Sequence, residues 1–336
     1  MRWPWTPRGS AQRLLLRRIG NQQAFVLTDG EPTDQPARLL RWGLLADADA
    51  RPVPAGDVIA LLDPVDYQIL KVDTPNVPPE ELKAAARWQI KEMVDVDVAE
   101  LTLDVMHVGG DVELPHATGP RQLFVVAARN SAIRALTEGA AGLAAQVGVV
   151  DVWETALRNL LAVRARADDL AARACAAVLI DERHCLLVVC AGDELYYTRR
   201  LENDPGLLAR AGGEQGEASA AELPLGFEYQ PGGAFDSPGS AQESPLVVEL
   251  QRSIDVWERS WPDLPLARLY VITARHGPEV AALIQRELGQ RTVALDALAA
   301  FAPDAPPPEG AAAQAQALAA CLPLLGAALR TQTRKL

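Results

Sequence analysis

The chain has 336 residues, 49% of them hydrophobic, enough to bury one large core or two ordinary ones, so a wholly disordered protein is excluded and two lobes are expected. Its formal net charge of −12 argues against a nucleic-acid partner, because binding a phosphate backbone needs clustered Lys and Arg. Four cysteines (Cys175, Cys185, Cys190 and Cys321) show no CxxC pair and no His/Cys ladder, which leaves neither a structural zinc nor a disulfide framework and predicts buried, reduced thiols.

The N-terminal stretch "MRWPWTPRGSAQRLLLRRIG" has Arg2, Arg8, Arg13, Arg17 and Arg18 with Trp3 and Trp5, and no acidic residue. Arginines stand where a signal peptide would need an apolar segment, so a soluble, unexported chain is expected. The same residues suit either a flexible leader over residues 1–12 or peripheral contact with an anionic membrane surface. No run reaches the ~18 consecutive apolar residues that a bilayer span requires.

The first ordered unit predicted is a hairpin, "QRLLLRRI", turn "GNQQ", then "AFVLTD". A third strand "DVIALLD" leads to "DYQILKVDTP", whose alternation reads as a half-buried strand, and these begin a mixed sheet. In "NVPPEELKAAARWQIKEMVDVDVAEL", Pro78 and Pro79 end the strand, Glu80 and Glu81 suit a helix N-terminus, and the helix is predicted to reach about Val94. Leu82, Ala86, Ile90, Met93 and Val94 share its apolar face. Trp88 projects from the opposite, charged side near Glu81, Lys91 and Glu92, so either another part of the chain or a partner must cover it.

"LTLDVMHV" and "RQLFVVAA" read as strands around a loop with Gly109, Gly110 and Pro115; "NSAIRALTEGAAGLAAQVG" reads as a helix capped by Asn130 or Ser131. "VVDVWETALRNLLAVRARADDLAARA" supplies a short strand and a long helix, and "ACAAVLID" and "CLLVVCAG" form a hairpin around "DERH". Residues 203–245, rich in Gly, Pro, Ser and Glu, read as a flexible insertion. After it come a helix "LVVELQRSIDVWERSWPD", a strand "LARLYVIT", a helix "GPEVAALIQRELG", a strand "QRTVALD", a proline-rich link "APDAPPPEG" and a last apolar helix "AAAQAQALAACLPLLGAALR". Strands then helices, twice over and without a mononucleotide glycine fingerprint, imply an α/β protein of two related lobes.

The stretch "DYQILKVDTPNVPPEELKAAARWQIKEMVDVDVAELTLDV" resembles the MSHA pilus biogenesis proteins of the MshI type, themselves similar to PilM and to the cytoplasmic part of the type II secretion protein GspL. "LFVVAARNSAIRALTEGAAGLAAQVGVVDVWETALRNLL", "ELQRSIDVWERSWPDLPLARLYVIT" and "LLGAALR" agree with that pattern, so the resemblance covers most of the chain beyond the first dozen residues and the 203–245 segment. It implies an actin-like fold of two ribonuclease-H-like lobes with an inserted α+β subdomain: a first lobe over 13–165 with the subdomain at about 76–130, and a second lobe over 166–330. It also implies a cytoplasmic protein, peripheral to the inner membrane, that binds the cytosolic tail of a PilN-like single-pass membrane protein alongside other pilus platform proteins and the assembly ATPase. Trp88 and Glu92 are the candidate partner-binding residues.

Relatives of this kind bind ATP between the lobes, and three segments should hold it. Where an acid and a glycine-serine turn would meet magnesium and phosphate, this chain has "RRIGNQQAF". An Asp-x-Gly turn is expected in the second hairpin, but "LIDERHCLL" keeps Asp181, with Glu182, and puts Arg183 in place of the glycine. A Gly-Gly pair is expected after the late strand, but "VITARHGPEV" has Ala274 and Arg275 before Gly277. A side chain at such turns blocks approach to phosphate and disfavours positive φ. The expectation is a degenerate nucleotide site at Asp181, Glu182, Arg183, Arg275 and Gly277, with no cofactor required and no hydrolysis.

Two rival readings use the same residues. A functional Mg-ATP-binding ATPase would need a metal-binding carboxylate, for which Asp181 is the candidate. A thiol hydrolase would need His184 to serve Cys185, yet neighbours on a strand point to opposite faces. His107, His116 and His276 show no metal spacing.

Overall fold

The structure, a computed structural model of the chain, describes residues 12–29, 36–46, 57–110, 121–141, 146–213, 244–303 and 310–331. The N-terminal leader, most of the 203–245 segment and most of the proline-rich link lie outside the described residues, as do His116 and Pro115.

In chain order the elements are β1 (Gln12–Ile19), β2 (Gln22–Asp29), β3 (Arg38–Ala46), β4 (Asp57–Leu61), β5 (Tyr67–Asp73), α1 (Leu82–Gln89), β6 (Leu101–His107), β7 (Gln122–Arg129), α2 (Asn130–Ala141), β8 (Val147–Asp151) and α3 (Trp153–Ala167). There follow β9 (Ala174–Ile180), β10 (Cys185–Ala191), β11 (Glu194–Leu201), α4 (Pro205–Ala211), α5 (Pro245–Ser260), β12 (Leu266–Ile272), α6 (Gly277–Leu288), β13 (Thr292–Ala294), β14 (Ala302–Pro303) and α7 (Ala311–Ala328).

Two sheets repeat one plan. The first has the order β14-β3-β2-β1-β4-β8 and the second β11-β10-β9-β12-β13. In each, three antiparallel strands are followed by two parallel ones: β1 pairs antiparallel with β2 and parallel with β4, as β9 does with β10 and β12. The duplication predicted from the order of elements is thus a duplication of topology.

Between the sheets lie two helices, and each has crossed to the other lobe. α3, which follows the first sheet's last strand, packs on β9, β10 and β11, whereas α7, which follows the second sheet, packs on β1, β2 and β3. The two helices touch closely at Gly326, where a Cβ would stand 2.3 Å from the Ala156 carbonyl oxygen, and Asn159 donates to the Gly326 carbonyl at 3.2 Å. One apolar core, including Leu15, Val26, Trp153, Leu157, Val188 and Leu324, therefore runs through both sheets. The boundary at 165/166 is corrected accordingly. α7 completes the first lobe, and β14, in the link, pairs with β3 of the first sheet. α7 also meets the length and mean apolarity of a membrane span, with a mean hydropathy of 1.4, although Gln314 and Gln316 interrupt its apolar run; more than half of it is buried inside the fold.

Other expectations change in detail. β3 escapes the period-two pattern because the register shifts between Leu27 and Thr28, leaving Leu40 as an extra residue between inward-facing Leu39 and Trp42. β5 joins a separate three-stranded sheet, β5-β7-β6, so the inserted subdomain begins near Tyr67 rather than at 76. α1 stops at Gln89, a turn short of Val94; Ile90 is buried, while Met93 is 48% exposed and leaves the apolar face. α4 orders the first part of the 203–245 segment, where Asp204 caps α4 and also receives a hydrogen bond from Ser244, the cap of α5. Cys175, Cys185, Cys190 and Cys321 are buried and free, as expected.

Candidate functional site

The site lies where parallel strands of the first sheet end and the first hairpin of the second sheet turns, the position at which open α/β sheets present ligand-binding groups. β1 and β4 run in register, Arg17 opposite Leu61, so Arg17 and Asp63, just past β4, reach the same edge. Asp63 follows Leu62 and precedes Pro64, and it caps the one-turn helix Pro64–Asp66 by accepting from the Val65 N–H at 3.3 Å. Trp153 stands at the first position of α3 and is fully buried.

From the second lobe come Asp181 and His184. The Asp181 carboxylate accepts from the backbone N–H groups of Arg183 at 2.7 Å and His184 at 2.6 Å, and the Asp181 N–H donates to the His184 carbonyl at 2.9 Å. This side-chain cap closes the β9–β10 turn without a positive φ at any of its residues, which is how the turn accommodates Arg183 where a glycine was expected. His184 then points across the lobe boundary. Its Nε2 is 3.5 Å from Asp63 Oδ1, and its Nδ1 is 3.4 Å from Asp181 Oδ1. The Nδ1 contact lacks hydrogen-bond alignment, so charge attraction holds it.

Arg17 completes the cluster. It is 2% exposed, its Nη2 lies 3.5 Å from Asp63 Oδ2, and its guanidinium lies 4.2 Å over the Trp153 ring. Trp153 in turn meets His184 edge to face, with ring centroids 5.0 Å apart. A chain of contacts Arg17–Asp63–His184–Asp181, backed by Trp153, thus spans the two lobes.

The electrostatics follow from these distances. Burial lowers the Arg17 guanidinium from its ordinary value, opposed chiefly by Asp63 and Asp181. Burial also acts to raise Asp63, but His184, the Val65 N–H and Arg17 outweigh it and hold the carboxyl at about 2. His184 is raised to about 9 by Asp181 first and Asp63 second, against burial. At neutral pH the cluster is two carboxylates with two cations, all partly or wholly removed from water.

A second set of contacts lies beside the first. Arg200 on β11 donates to the Pro64 carbonyl at 2.6 Å and the Tyr67 carbonyl at 3.1 Å, lies 4.7 Å over the Tyr67 ring, and faces Glu154 at 3.6 Å. The Tyr67 hydroxyl donates to Glu154 at 2.5 Å and accepts from the Trp153 N–H at 3.1 Å. At the other end of β11 the Gly109 N–H donates to the Leu195 carbonyl at 2.8 Å. β11 is thereby gripped at both ends by the first lobe and its inserted subdomain.

Of the residues singled out from the sequence, Asp181 belongs to the cluster, and Arg183 is exposed beside it, its charge acting on Arg17. Glu182 and Arg275 are exposed and join none of these contacts. Gly277 opens α6, packed against Ala294 and Thr273, and the positive φ of that turn falls on His276 at 54° instead. Trp88 is 73% exposed with Lys91 at 5.5 Å over its ring, and Glu92 is exposed nearby, so among the described residues nothing covers the tryptophan. Sequence reasoning missed Asp63, Trp153, Arg200 and the role of Arg17; the Asp-Pro after an apolar strand in "IALLDPVDY" was the available signal for Asp63. Cys185 is buried in the second core and its thiol is raised to about 12 by burial, so His184 and Cys185 form no nucleophilic pair. Among the described residues no group of three or more His, Cys, Asp or Glu could hold a metal ion.

A groove opens at the foot of the subdomain, lined by Val65, Tyr67, Val94, Val96, Leu101 and Arg129 among others. Val65, in the turn after Asp63, is 81% exposed there.

No protein-family model matches the chain, and no curated relative matches it by sequence. Among solved structures it is similar to a chain of a PilM-PilN type IV pilus biogenesis complex, with a TM-score of 0.64 and 18% identity, covering 96% of this chain and 100% of that one. Looser overlaps occur with the cytoplasmic domain of EpsL, an inner-membrane component of the type II secretion system of Vibrio cholerae (TM-score 0.38, 13% identity, 61% and 76% covered), and with a Bacteroides thetaiotaomicron protein of actin-like ATPase fold (TM-score 0.43, 8% identity, 85% and 91% covered). With its duplicated five-strand plan and exchanged central helices, the chain has the two-lobed actin-like fold with an inserted α+β subdomain.

Proposed function

We propose that this chain is a cytoplasmic scaffold subunit of a type IV pilus assembly platform, of the MSHA type, that binds the cytosolic tail of a PilN-like single-pass inner-membrane protein. The observation that carries the reading is the end-to-end similarity to a chain of the PilM-PilN complex. The groove at Val65, lined by both apolar and charged side chains, and Trp88, which no described residue covers, offer surface for such a tail, with Glu92 beside it. Further contacts with other platform proteins and the assembly ATPase belong to the same reading, as does peripheral membrane contact through the N-terminal arginines and tryptophans.

The nucleotide site is proposed to be degenerate. Magnesium and phosphate need free carboxylates and close backbone approach, but Asp63 and Asp181 are already engaged by Arg17 and His184. The buried Arg17 guanidinium supplies the interlobe cation itself, so ATP does not fit the residues present. Lobe closure then needs no nucleotide, and the chain acts without hydrolysis.

Co-expression with a PilN-like membrane protein, with and without its cytosolic tail, tests the partner. Tail-dependent co-purification is expected; equal recovery without the tail would sink the reading. Isothermal titration with Mg-ATP is expected to show no binding in the micromolar range, and micromolar affinity would favour an ATPase of the same machinery instead.

A further inference from the structure

The outer side of α1 combines an uncovered aromatic ring with an imbalance of charge. From Pro79 to Glu100 the sequence has six carboxylates (Glu80, Glu81, Glu92, Asp95, Asp97 and Glu100) against three cations (Lys83, Arg87 and Lys91). All three cations are engaged within the chain. Lys83 lies 3.1 Å from Asp104, Arg87 donates to the Val98 carbonyl and, at 3.2 Å, to that of Leu101, and Lys91 lies 5.5 Å over the Trp88 ring. The six carboxylates are exposed, and among the described residues none of them pairs with a cation.

Helical spacing sets part of this charge beside the tryptophan. Glu81, Ala84, Ala85 and Trp88 recur at intervals of three or four residues and so share one side of the helix, with Glu81 about 10 Å from Trp88 along its axis. The two alanines between them are too short to cover the ring, which is 73% exposed. Glu92 and Asp95 stand exposed in the turns after α1. The face is thus an indole on a flat alanine surface, with carboxylates before and after it in the chain.

Such a face selects its partner by charge. An indole attracts cations, and a planar guanidinium stacks on it better than an ammonium does. Lys91 is already such a cation, drawn from the same chain. The surrounding carboxylates repel an anionic lipid surface or a nucleic acid and attract a segment rich in arginine. Cytoplasmic segments next to a membrane span carry an excess of Lys and Arg, so a single-pass membrane protein presents that chemistry beside the bilayer.

We infer that the Trp88 face of α1 docks a basic, arginine-bearing segment next to the span of the membrane partner, with one guanidinium on the indole and neighbouring cations paired to Glu81 and Glu92. The inference rests on the proposed tail-binding reading for its occupant, and adds to it the face used and the chemistry the tail must carry.

The test uses the full chain, isotope-labelled on its tryptophan indoles, titrated with argininamide and with a synthetic peptide of the PilN-like protein's cytosolic tail. Trp88→Phe assigns the Trp88 resonance. Both probes are expected to shift it, and a tail peptide with Gln in place of Lys and Arg is expected to bind about tenfold more weakly. Glu81→Lys combined with Glu92→Lys is expected to weaken tail binding about tenfold. Glu182→Lys combined with Glu258→Lys makes the same change of net charge at exposed positions of the second lobe and is expected to alter affinity less than about twofold. If the tail binds and the Glu81/Glu92 variant keeps native affinity, or both double variants weaken it equally, the inference is overturned while tail binding stands. If the tail does not bind, the tail-binding reading fails and argininamide decides the face: a Trp88 shift that the Glu81/Glu92 variant loses upholds recognition of basic segments, and no shift overturns it.

Discussion

Arg17 and His184 hold the two oxygens of one carboxylate from opposite lobes: Arg17 Nη2 is 3.5 Å from Asp63 Oδ2 and His184 Nε2 is 3.5 Å from Asp63 Oδ1. The relationship makes Asp63 the hinge point of the interlobe cluster. It also explains how a buried arginine on a core strand is tolerated, since its charge is paired and its face is packed on Trp153.

Replacing Arg17 by Met removes the cation from this pair and leaves Asp63 to His184 alone. The loss of a partner in a buried ion pair costs about 3 kcal/mol, partly offset by the packing of the new side chain. The melting temperature is expected to fall by roughly 3–4 °C, read by calorimetry. Arg17→Lys should recover only part of it, because an ammonium does not stack on the indole as a guanidinium does.

The cluster also sets a pH dependence. His184 stands at about 9 against an ordinary 6.5, so its contribution to stability is complete below about 6.5 and is lost as pH rises through about 9. Asp63 stands at about 2 against an ordinary 3.8, so its contribution is present above about 3.8 and is lost as pH falls through about 2. Stability from this contact is therefore greatest between those limits. Unfolding free energies from urea titration are expected to drop between pH 6.5 and 9 by on the order of 1–2 kcal/mol, after allowance for solvent screening. In His184→Gln that slope should vanish; an equal slope would place the titration elsewhere.

Gly326→Ala tests the exchange of helices between lobes. The new methyl would lie 2.3 Å from the Ala156 carbonyl, and backbone cannot move aside as a side-chain tip can. Forcing α3 and α7 apart in the shared core is expected to cost about 3 kcal/mol or more, visible as a lower urea midpoint. Gly310→Ala provides the contrast on the same helix: no atom lies within 4 Å of its Cβ position, so only the strain of its φ of 87° should be felt.

Trp88→Ser separates docking from folding. An exposed side chain that no described residue covers should change stability by less than about 0.5 kcal/mol. Co-purification with the tail-bearing partner is expected to weaken several-fold; unchanged recovery would remove Trp88 from the proposed interface.

Much of this was readable before any coordinates. The order of strands and helices announced two related lobes, because hydrophobic periods of two and of 3.6 report local backbone geometry directly. The place of Trp88 on the charged side of a short helix was legible too, whereas its 73% exposure came only with the structure. The caps at Asp204 and Ser244 were not: residues 203–245 read as a flexible insertion, and only the structure shows these side chains accepting from helix-end N–H groups.

What the chain could not announce is whatever joins residues far apart in sequence. Nothing local says that α3 packs on the second sheet and α7 on the first, since an apolar helix is equally content against either. Arg17 read as an arginine out of place, and its meaning came only from Asp63, Trp153 and His184, which lie 46, 136 and 167 positions away. The sequence by itself determined the elements, their polarity and the missing turn glycines, through propensities and periods that act over a few residues. The tertiary structure alone decided which charges meet, because a buried ion cluster depends on distances that only the packing of two lobes creates.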